Sequence, residues 1–417
     1  MERTTRREAL AVFAAEVAVV LVVDGLLPRS IRDRSQGDYT TYYRPVADRL
    51  LAGHGLAHGA PDGGPALRYP PGQPGVIAAT LRVGRGLGMG DGMSQALVTA
   101  VAMGLAAVCV WALARRAFGR RPALLAAGLW LVYPPNLFLA TRLNSEVTFM
   151  PLAFGAVLLV MLRPGRTGPG RSLGLAAGAG ALLGLALLVR PIGIAFVVPL
   201  AVAVGIGGGR RQVAWGSVSA LLGAAALVVA PWIGWASHTD RAFVPLSTGG
   251  PPSVVDGLTF GLPGKGTGRT WRPAAAVSAM RDAAERARAP HPPSTVHLVT
   301  AVAGDHPGGF AELVALKVGR SWWGTESWRD EWLVGLGQVP FVVLIGWGLA
   351  RARPLAGGSS GRRLAGTVLG ILVATWLMTV TVLSIAAYMS PAVGLALTVA
   401  GVGPADRLAR RPSTTSR

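Results

Sequence analysis

The chain has 417 residues, of which 51% are hydrophobic and only 14% are charged, and its formal net charge is +20. An ordinary soluble domain carries about 25% charged residues, so this composition excludes that class. The arginines cluster in short segments between apolar runs of about 17 to 23 residues, each close to the ~20 residues that cross a bilayer. We therefore interpret the positive charge as the signal that sets the orientation of the helices in the membrane. A nucleic-acid-binding surface would need a basic stripe interleaved with aromatic residues.

The apolar runs predict an all-α polytopic membrane protein of ten transmembrane helices. They lie near 9–27, 95–114, 122–141, 145–162, 173–189, 191–207, 213–235, 332–350, 364–386 and 388–403. The first run is too long for a signal peptide and lacks a small-residue cleavage site, so we expect it to be retained. The stretch 74–87 is short and is interrupted by Arg82 and Arg85. It favours an interfacial or re-entrant helix, with an eleventh span as the alternative.

The arginine distribution predicts the side of the membrane on which each loop lies. If the N-terminus is cytoplasmic and the helices alternate, every arginine-dense short loop falls on the cytoplasmic side. These loops hold Arg115, Arg116, Arg120 and Arg121, Arg163 to Arg171, Arg210 and Arg211, Arg351 to Arg363, and Arg407 to Arg417. The longer polar segments 28–94 and 236–331 then lie outside, and they hold most of the acidic residues.

This topology divides the chain into four predicted parts. Residues 1–235 form an N-terminal transmembrane module that includes the first outer loop 28–94, and residues 236–331 form an extracytoplasmic loop or small lid. Residues 332–403 are C-terminal transmembrane helices, and residues 404–417 are a basic cytoplasmic tail. Abundant Ala, Gly and Arg with very little Lys is typical of a GC-rich bacterial genome, so we expect a bacterial plasma membrane as the location.

Polar residues that flank the spans gather on the predicted outer face. They are Asp38, Arg68, Tyr69, Arg142, Asn144, Glu146, Arg190, Pro191, Pro231 and Trp232. Ionisable groups at membrane depth are costly and tend to face a protein interior or a wet cavity, so the set predicts a functional site. Taken singly, each residue is explained as well by a helix end whose arginine reaches the head groups.

A series of short motifs runs from the first polar loop to the predicted lid. It consists of Asp38, Tyr42-Tyr43, Ala47-Asp48-Arg49-Leu50, Gly53-His54-Gly55, Tyr69-Pro70-Pro71-Gly72-Gln73-Pro74, Tyr133-Pro134-Pro135, Asn144-Ser145-Glu146, Arg190-Pro191, Pro231-Trp232, Val244 to Gly250 and, more weakly, Tyr388 to Pro391. In this order the series resembles the GT-C membrane glycosyltransferases, and in particular the protein O-mannosyltransferase and lipid A aminoarabinose transferase group. The resemblance covers about residues 9–260 and implies a GT-C type bundle of about 10 to 11 helices.

The resemblance also implies a reaction, the transfer of a sugar from a polyprenyl-phosphate carrier to a hydroxyl of a glycan, lipid or protein on the outer face, usually with inversion. The attacking hydroxyl needs a carboxylate base, and Asp38 takes that role, while Glu146 holds the acceptor or orients an arginine. The departing lipid phosphate needs positive charge, which Arg142, Arg190 or Lys265 supplies. The predicted substrate-binding set is completed by Tyr39, Arg68 and Tyr69.

Three positions depart from the family's pattern. Tyr39 follows Asp38 where many relatives carry a second acid, no asparagine follows Trp232 closely, and Ala387 stands where a basic residue is expected. The metal site is predicted as none, because His54 and His58 lie among glycines that set no helical register. No cofactor is assigned with certainty, and dependence on a divalent cation stays open.

Two other functions fit parts of the sequence. A transporter or flippase for a lipid-linked or small substrate would suit Glu16 and Asp24 inside the first span, although no inverted repeat is visible. A non-catalytic assembly partner that keeps the GT-C fold is the other alternative, because the acidic pair of the first loop is incomplete.

Overall fold

A computed structural model of the chain describes residues 3–28, 37–58, 63–139, 143–162, 169–207, 211–259, 262, 274–289, 291–325, 331–355 and 359–409, and it folds them into helices joined by loops. The helices are α1 (Arg3–Leu26), α2 (Arg44–Leu51), α3 (Gly72–Gly86), α4 (Asp91–Phe118), α5 (Arg120–Leu131), α6 (Pro134–Leu139), α7 (Ser145–Met161), α8 (Pro169–Val189), α9 (Val197–Ile206), α10 (Arg211–Asp240), α11 (Gly250–Thr259), α12 (Ala274–Ala287), α13 (Thr295–Asp305), α14 (Pro307–Arg320), α15 (Glu331–Leu355), α16 (Ser359–Thr381), α17 (Ala386–Ala400) and α18 (Val402–Ala409). A π-helical turn, Tyr39–Tyr43, precedes α2, and a 3₁₀ turn, Pro191–Phe196, precedes α9.

Within the described part of the chain, seven helical segments are long and apolar enough to cross a membrane. They are Arg3–Leu26, Asp91–Phe118, Gly170–Val189, Arg211–Asp240, Glu331–Ala352, Ser360–Thr381 and Ala386–Leu408. The predicted class, an all-α multi-pass membrane protein, is therefore confirmed. Each of these segments corresponds to one of the ten predicted spans.

The other three predicted spans are shorter or broken helices. The run 145–162 is the 17-residue helix α7. The run 122–141 is divided at Tyr133 into α5 and α6, and the run 191–207 opens with a 3₁₀ turn before α9. In both broken runs a helical segment starts at a proline, Pro134 or Pro191, because the residue before a proline avoids helical dihedral angles. Arg190, which precedes Pro191, is extended with φ −150° and ψ 113°.

Helix α4 connects two chemically different ends of the bundle. It has 28 residues and is therefore about 42 Å long. At its start, Asp91 pairs with Arg44 at 2.8 Å, and we call this the Asp91 end. Beyond its last residue, Arg120 pairs with Glu8 of α1 at 2.6 Å, and we call this the Arg120 end. The first polar loop and one of the arginine-rich loops thus lie at opposite ends of the bundle. Which end faces the cytoplasm stays a prediction.

Helix α3 packs at the Asp91 end without the length of a span. Its 15 residues extend about 22 Å, against ~30 Å of hydrocarbon, which agrees with the interfacial alternative for 74–87. Its N-terminal turn is buried, and Gln73 Nε2 donates a hydrogen bond of 2.7 Å to the carbonyl of Leu143. Helix α3 therefore anchors the first polar loop against the start of α7.

A glycine permits the closest approach between α3 and α8. A Cβ atom at Gly72 would lie 2.5 Å from the carbonyl oxygen of Leu188, whereas a Cβ atom at Gly75 of the same helix would meet nothing within 4 Å. We expect Gly72→Ala to destabilise the protein by about 1–3 kcal/mol through this backbone clash. Gly75→Ala is the matched control and should be neutral or stabilising by up to about 1 kcal/mol. Thermal unfolding of both variants in detergent measures the difference, and equal melting temperatures would contradict the packing.

Four shorter helices, α11 to α14, have an apolar cluster of their own. It includes Leu258, Met280, Leu298, Val302 and Leu313. The buried Lys317 at the end of α14 donates a hydrogen bond of 2.8 Å from Nζ to the carbonyl of Gly257 in α11. We call these helices the lid helices. The boundaries of the four predicted parts of the chain stay a prediction.

Candidate active site

Asp38 lies at the Asp91 end, where the first polar loop turns into the π-helical segment. The preceding Gly37 has φ +28°, a conformation that L side chains rarely adopt. The half-buried Asp38 accepts a hydrogen bond of 2.9 Å on Oδ1 from Tyr69 Oη. The backbone nitrogen of Tyr69 donates in turn to Tyr42 Oη at 3.3 Å, and the two tyrosine rings meet edge to face at 5.1 Å. The two halves of the loop are thus joined at the carboxylate.

The surroundings of Asp38 have opposing effects on the pKa of its carboxyl. Burial raises the pKa of the Asp38 carboxyl above its ordinary value. The hydrogen bond from Tyr69 and the positive charges of Arg68 and Arg190 oppose that rise, while the negative charge of Glu146 adds to it. A carboxylate with a raised pKa is a stronger base than an exposed one. The environment therefore suits Asp38 to accept a proton.

Glu146 and Arg190 form a buried ion pair between the start of α7 and the end of α8. They are 9% and 8% exposed, so this charge pair is almost removed from solvent. Arg190 Nη1 also donates to Ser145 Oγ at 2.9 Å. The Arg190 guanidinium lies over the ring of Tyr388 in α17, 5.2 Å from its centroid. One guanidinium thus has partners from two separate helices, α7 and α17.

Ser145 connects this ion pair with the turn that carries Asp38. Its side chain shares a hydrogen bond with the buried Tyr43, which belongs to the π-helical turn after Asp38. Ser145 Oγ also lies 3.3 Å from Glu146 Oε2. Asp38 and the Glu146–Arg190 pair are therefore parts of one polar cluster, consistent with the charge of Arg190 acting on Asp38.

Arg68 lies at the exposed side of the cluster. Its guanidinium carbon is 5.4 Å from the centroid of the Tyr69 ring, and its charge acts on both Asp38 and Asp256 of α11. The backbone behind it is paired with the segment before α11: Thr248 N donates to Leu67 O at 3.0 Å, and Gly249 N donates to Arg68 O at 3.2 Å. This backbone ladder attaches the first lid helix to the site.

The predicted site residues fall into three groups. Asp38, Arg68, Tyr69, Glu146 and Arg190 are brought together. The hydroxyl of Tyr39 instead donates a hydrogen bond to Gln95 Oε1 of α4. Arg142 and Lys265 lie outside the described residues. The sequence analysis gave no role to Tyr43, Ser145 and Tyr388, although all three stand in motifs of the series. Ser145 could have been predicted to belong to the site because it is adjacent to Glu146.

The carboxylates of this cluster already have partners. In the part of the chain that the structure describes, no group of three or more His, Cys, Asp or Glu side chains could hold a metal ion. Glu146 is neutralised by Arg190, and Asp38 is bonded to Tyr69. His58, one of the two loop histidines, packs against the ring of Tyr42 at 5.2 Å.

Known structures share this fold. An archaeal oligosaccharyltransferase, AglB from Archaeoglobus fulgidus in complex with an inhibitory peptide and a dolichol-phosphate, aligns with a TM-score of 0.55 and 13% identity, over 100% of this chain and 53% of that chain. The Archaeoglobus fulgidus oligosaccharyltransferase in complex with Zn and sulfate aligns with a TM-score of 0.53 and 14% identity, over 95% of this chain and 49% of that chain. ArnT from Cupriavidus metallidurans bound to undecaprenyl phosphate aligns with a TM-score of 0.43 and 18% identity, over 93% of this chain and 77% of that chain. The chain spans about half the length of the two oligosaccharyltransferases. No curated protein sequence matches it.

The described helices and these structures define the class as far as the fold: this is a multi-pass membrane protein whose fold is similar to that of the oligosaccharyltransferases, as the resemblance to the GT-C membrane glycosyltransferases implied. Residues 72–235 match the family described as dolichyl-phosphate-mannose-protein mannosyltransferase. That segment extends from the start of α3 into α10, so it contains Glu146 and Arg190 and lies after Asp38.

Proposed function

We propose that the chain transfers a sugar from a polyprenyl-phosphate-linked donor to a hydroxyl acceptor of the cell envelope, with Asp38 as the general base and with inversion. The observation that carries the proposal is the placement of a half-buried carboxylate, bonded to Tyr69, beside the buried guanidinium of Arg190. The family match of residues 72–235, whose name includes a dolichyl-phosphate-mannose donor, supports the donor class. The predicted location is the outer face of a bacterial plasma membrane, where nucleotide sugars are absent.

The chemistry needs one base and one anion site. The acceptor hydroxyl attacks the anomeric carbon and gives its proton to a carboxylate oxygen of Asp38. The bond from the anomeric carbon to the phosphate oxygen breaks, and its electron pair leaves with the lipid phosphate. Arg190 and Arg68 stabilise the negative charge that develops there. Attack from the side opposite to the leaving phosphate inverts the anomeric centre.

The direct test is transfer by the purified chain in lipid nanodiscs. The donor class is found first, by mass spectrometry of lipid extracts from cells with and without the protein, since the unused polyprenyl-phosphate sugar accumulates without it. That donor and a hydroxyl acceptor should then yield free polyprenyl phosphate and a glycoside whose anomeric configuration, measured by NMR, is inverted. Uptake of a labelled substrate into proteoliposomes without covalent transfer would instead identify a transporter. Activity that requires a co-purified homologue would identify an assembly partner.

Tyr69→Phe is expected to move the acid limb of the pH profile. The Tyr69 hydroxyl lowers the pKa of Asp38 by donating to its ionised form, so its removal raises that pKa. Because the base must be ionised, the acid limb of kcat/KM should move to higher pH, and the rate below neutrality should fall. Tyr133→Phe is the matched control, since the Tyr133 hydroxyl donates to Gln338 Oε1 at 2.8 Å, away from Asp38. An unmoved acid limb in Tyr69→Phe would contradict the role of this hydrogen bond.

A further inference from the structure

The Arg190 guanidinium is already occupied in the structure. Its Nη1 group contacts both the Glu146 carboxylate and Ser145 Oγ, and the Tyr388 ring covers one face. With 8% of the residue exposed, little of it is open to a ligand. An arginine in this condition makes a poor anion site, because its charge is neutralised by a carboxylate in contact with it.

A phosphate and the Glu146 carboxylate cannot share this guanidinium at low cost. Like charges a few ångströms apart in a poorly solvated site repel strongly, so one of the two anions must move or take up a proton. Glu146 has a neighbour that can receive it, since Ser145 Oγ lies 3.3 Å from its second oxygen, Oε2. Ser145 also bonds to Arg190 Nη1 independently of Glu146. The serine can therefore hold the guanidinium in place while its anionic partner changes.

We propose that Glu146 is a resting counterion of Arg190 and that the phosphate of the lipid donor displaces it, with Ser145 as the positioning residue that keeps the guanidinium in place during the exchange. This inference rests on the proposed function and adds to it a control of donor binding. It assigns to Glu146 a role other than holding the acceptor. The exchange moves ionic contacts and forms no covalent bond.

The exchange also connects donor binding to the strength of the base. In the structure the charge of Arg190 lowers the pKa of Asp38. The phosphodiester of the lipid donor carries one negative charge, so its arrival at Arg190 while Glu146 stays ionised nearby adds a negative charge close to Asp38 and raises the pKa of Asp38. Asp38 therefore becomes a stronger base when a sugar is present to react.

The test measures the affinity for a short-chain polyprenyl phosphate, without turnover, by native mass spectrometry or thermophoresis in detergent. Glu146→Gln removes the competing charge and keeps a side chain of the same size, so we expect about tenfold tighter binding, equivalent to about 1.4 kcal/mol. Melting temperature should fall in the same variant, because Arg190 loses its counterion. Tighter binding in a less stable protein is a combination that a purely structural role does not produce.

The chain offers a matched control at the opposite end of the bundle. Glu8→Gln makes the same chemical change to a carboxylate that pairs with Arg120 at 2.6 Å, and its affinity for the lipid phosphate should equal that of wild type. The double variant Ser145→Ala with Glu146→Gln should bind the lipid phosphate no more tightly than wild type, since Arg190 then loses both partners of Nη1. Neutral polyprenol and inorganic phosphate, used as separate ligands, distinguish the contribution of the chain from that of the anion.

The outcomes separate the two proposals. If wild type binds the lipid phosphate and Glu146→Gln binds it equally or more weakly, the exchange is wrong and the proposed function stands. If neither binds it, the donor class of the proposed function fails. If Glu146→Gln does not fold, Glu146→Asp takes its place. The shorter carboxylate weakens the pair, so a smaller gain in affinity is expected, and no gain would overturn the exchange.

Discussion

Replacing Asp38 by asparagine is expected to lower the rate of sugar transfer by a factor of about 10² to 10⁴, the usual contribution of a general base. The amide oxygen of asparagine still accepts the hydrogen bond from Tyr69, so the loop should keep its conformation. What is lost is the capacity to take the proton of the attacking hydroxyl. Donor binding should change little, because the cations that receive the phosphate remain.

The measurement for this variant is initial transfer rate at saturating donor, with melting temperature recorded in parallel. Asp48→Asn is the matched control, since that carboxylate forms an exposed pair with Arg44 within α2, at 2.9 Å. Exposed helical pairs contribute only about 0.3–0.5 kcal/mol, so this control should transfer sugar at close to the wild-type rate. Wild-type activity in Asp38→Asn would reject Asp38 as the base.

Replacing Arg190 by glutamine should have the second large effect, on both stability and activity. The substitution leaves the buried Glu146 charge without its counterion, which typically costs about 3–5 kcal/mol. It also removes the fork of N–H donors that binds a phosphate, so transfer should fall below detection at donor concentrations that saturate wild type. Arg190→Lys should recover part of the stability, because it keeps the charge without the fork geometry.

A double variant separates the structural role of Arg190 from its role in the reaction. Arg190→Gln with Glu146→Gln removes both charges, so most of the lost stability should return while sugar transfer stays absent. Recovery of transfer in the double variant would mean that Arg190 serves the fold alone. Arg85→Gln is the comparison at the surface, since Arg85 pairs with Asp91 at 2.8 Å in an exposed position, and it should leave the melting temperature close to that of wild type.

The helical class and most span positions could be predicted from the sequence, because the length of an apolar run is a local property. The break at Arg190 was predicted, since one predicted span ends at 189 and the next begins at 191, but the break at Tyr133 was missed although Tyr133 also precedes a proline. Apolar composition extends across the break at Tyr133, and it was given more weight than the local backbone rule. The positions of the prolines therefore predict where helices end near the site better than the length of the apolar runs does.

The residues of the site could be named from the sequence, but their contacts could not. Asp38, Glu146 and Arg190 were chosen because they interrupt or flank apolar runs. The pairing of Glu146 with Arg190 depends on how α7 and α8 cross, and the cover that Tyr388 provides depends on a helix far along the chain. Neither relation has a local signal. Tyr39 stays a predicted substrate-binding residue, and the contact of its hydroxyl with Gln95 likewise has no local signal.

The contact of Tyr388 with Arg190 has a consequence for how the protein is made. Tyr388 belongs to α17, which only α18 follows among the described helices, whereas Asp38 precedes α2. During synthesis the ribosome releases the first loop and the Glu146–Arg190 pair long before α17 enters the membrane. The ion pair then waits with one guanidinium face open to lipid or water. The cover of the Arg190 guanidinium is therefore completed only when α17 has been inserted.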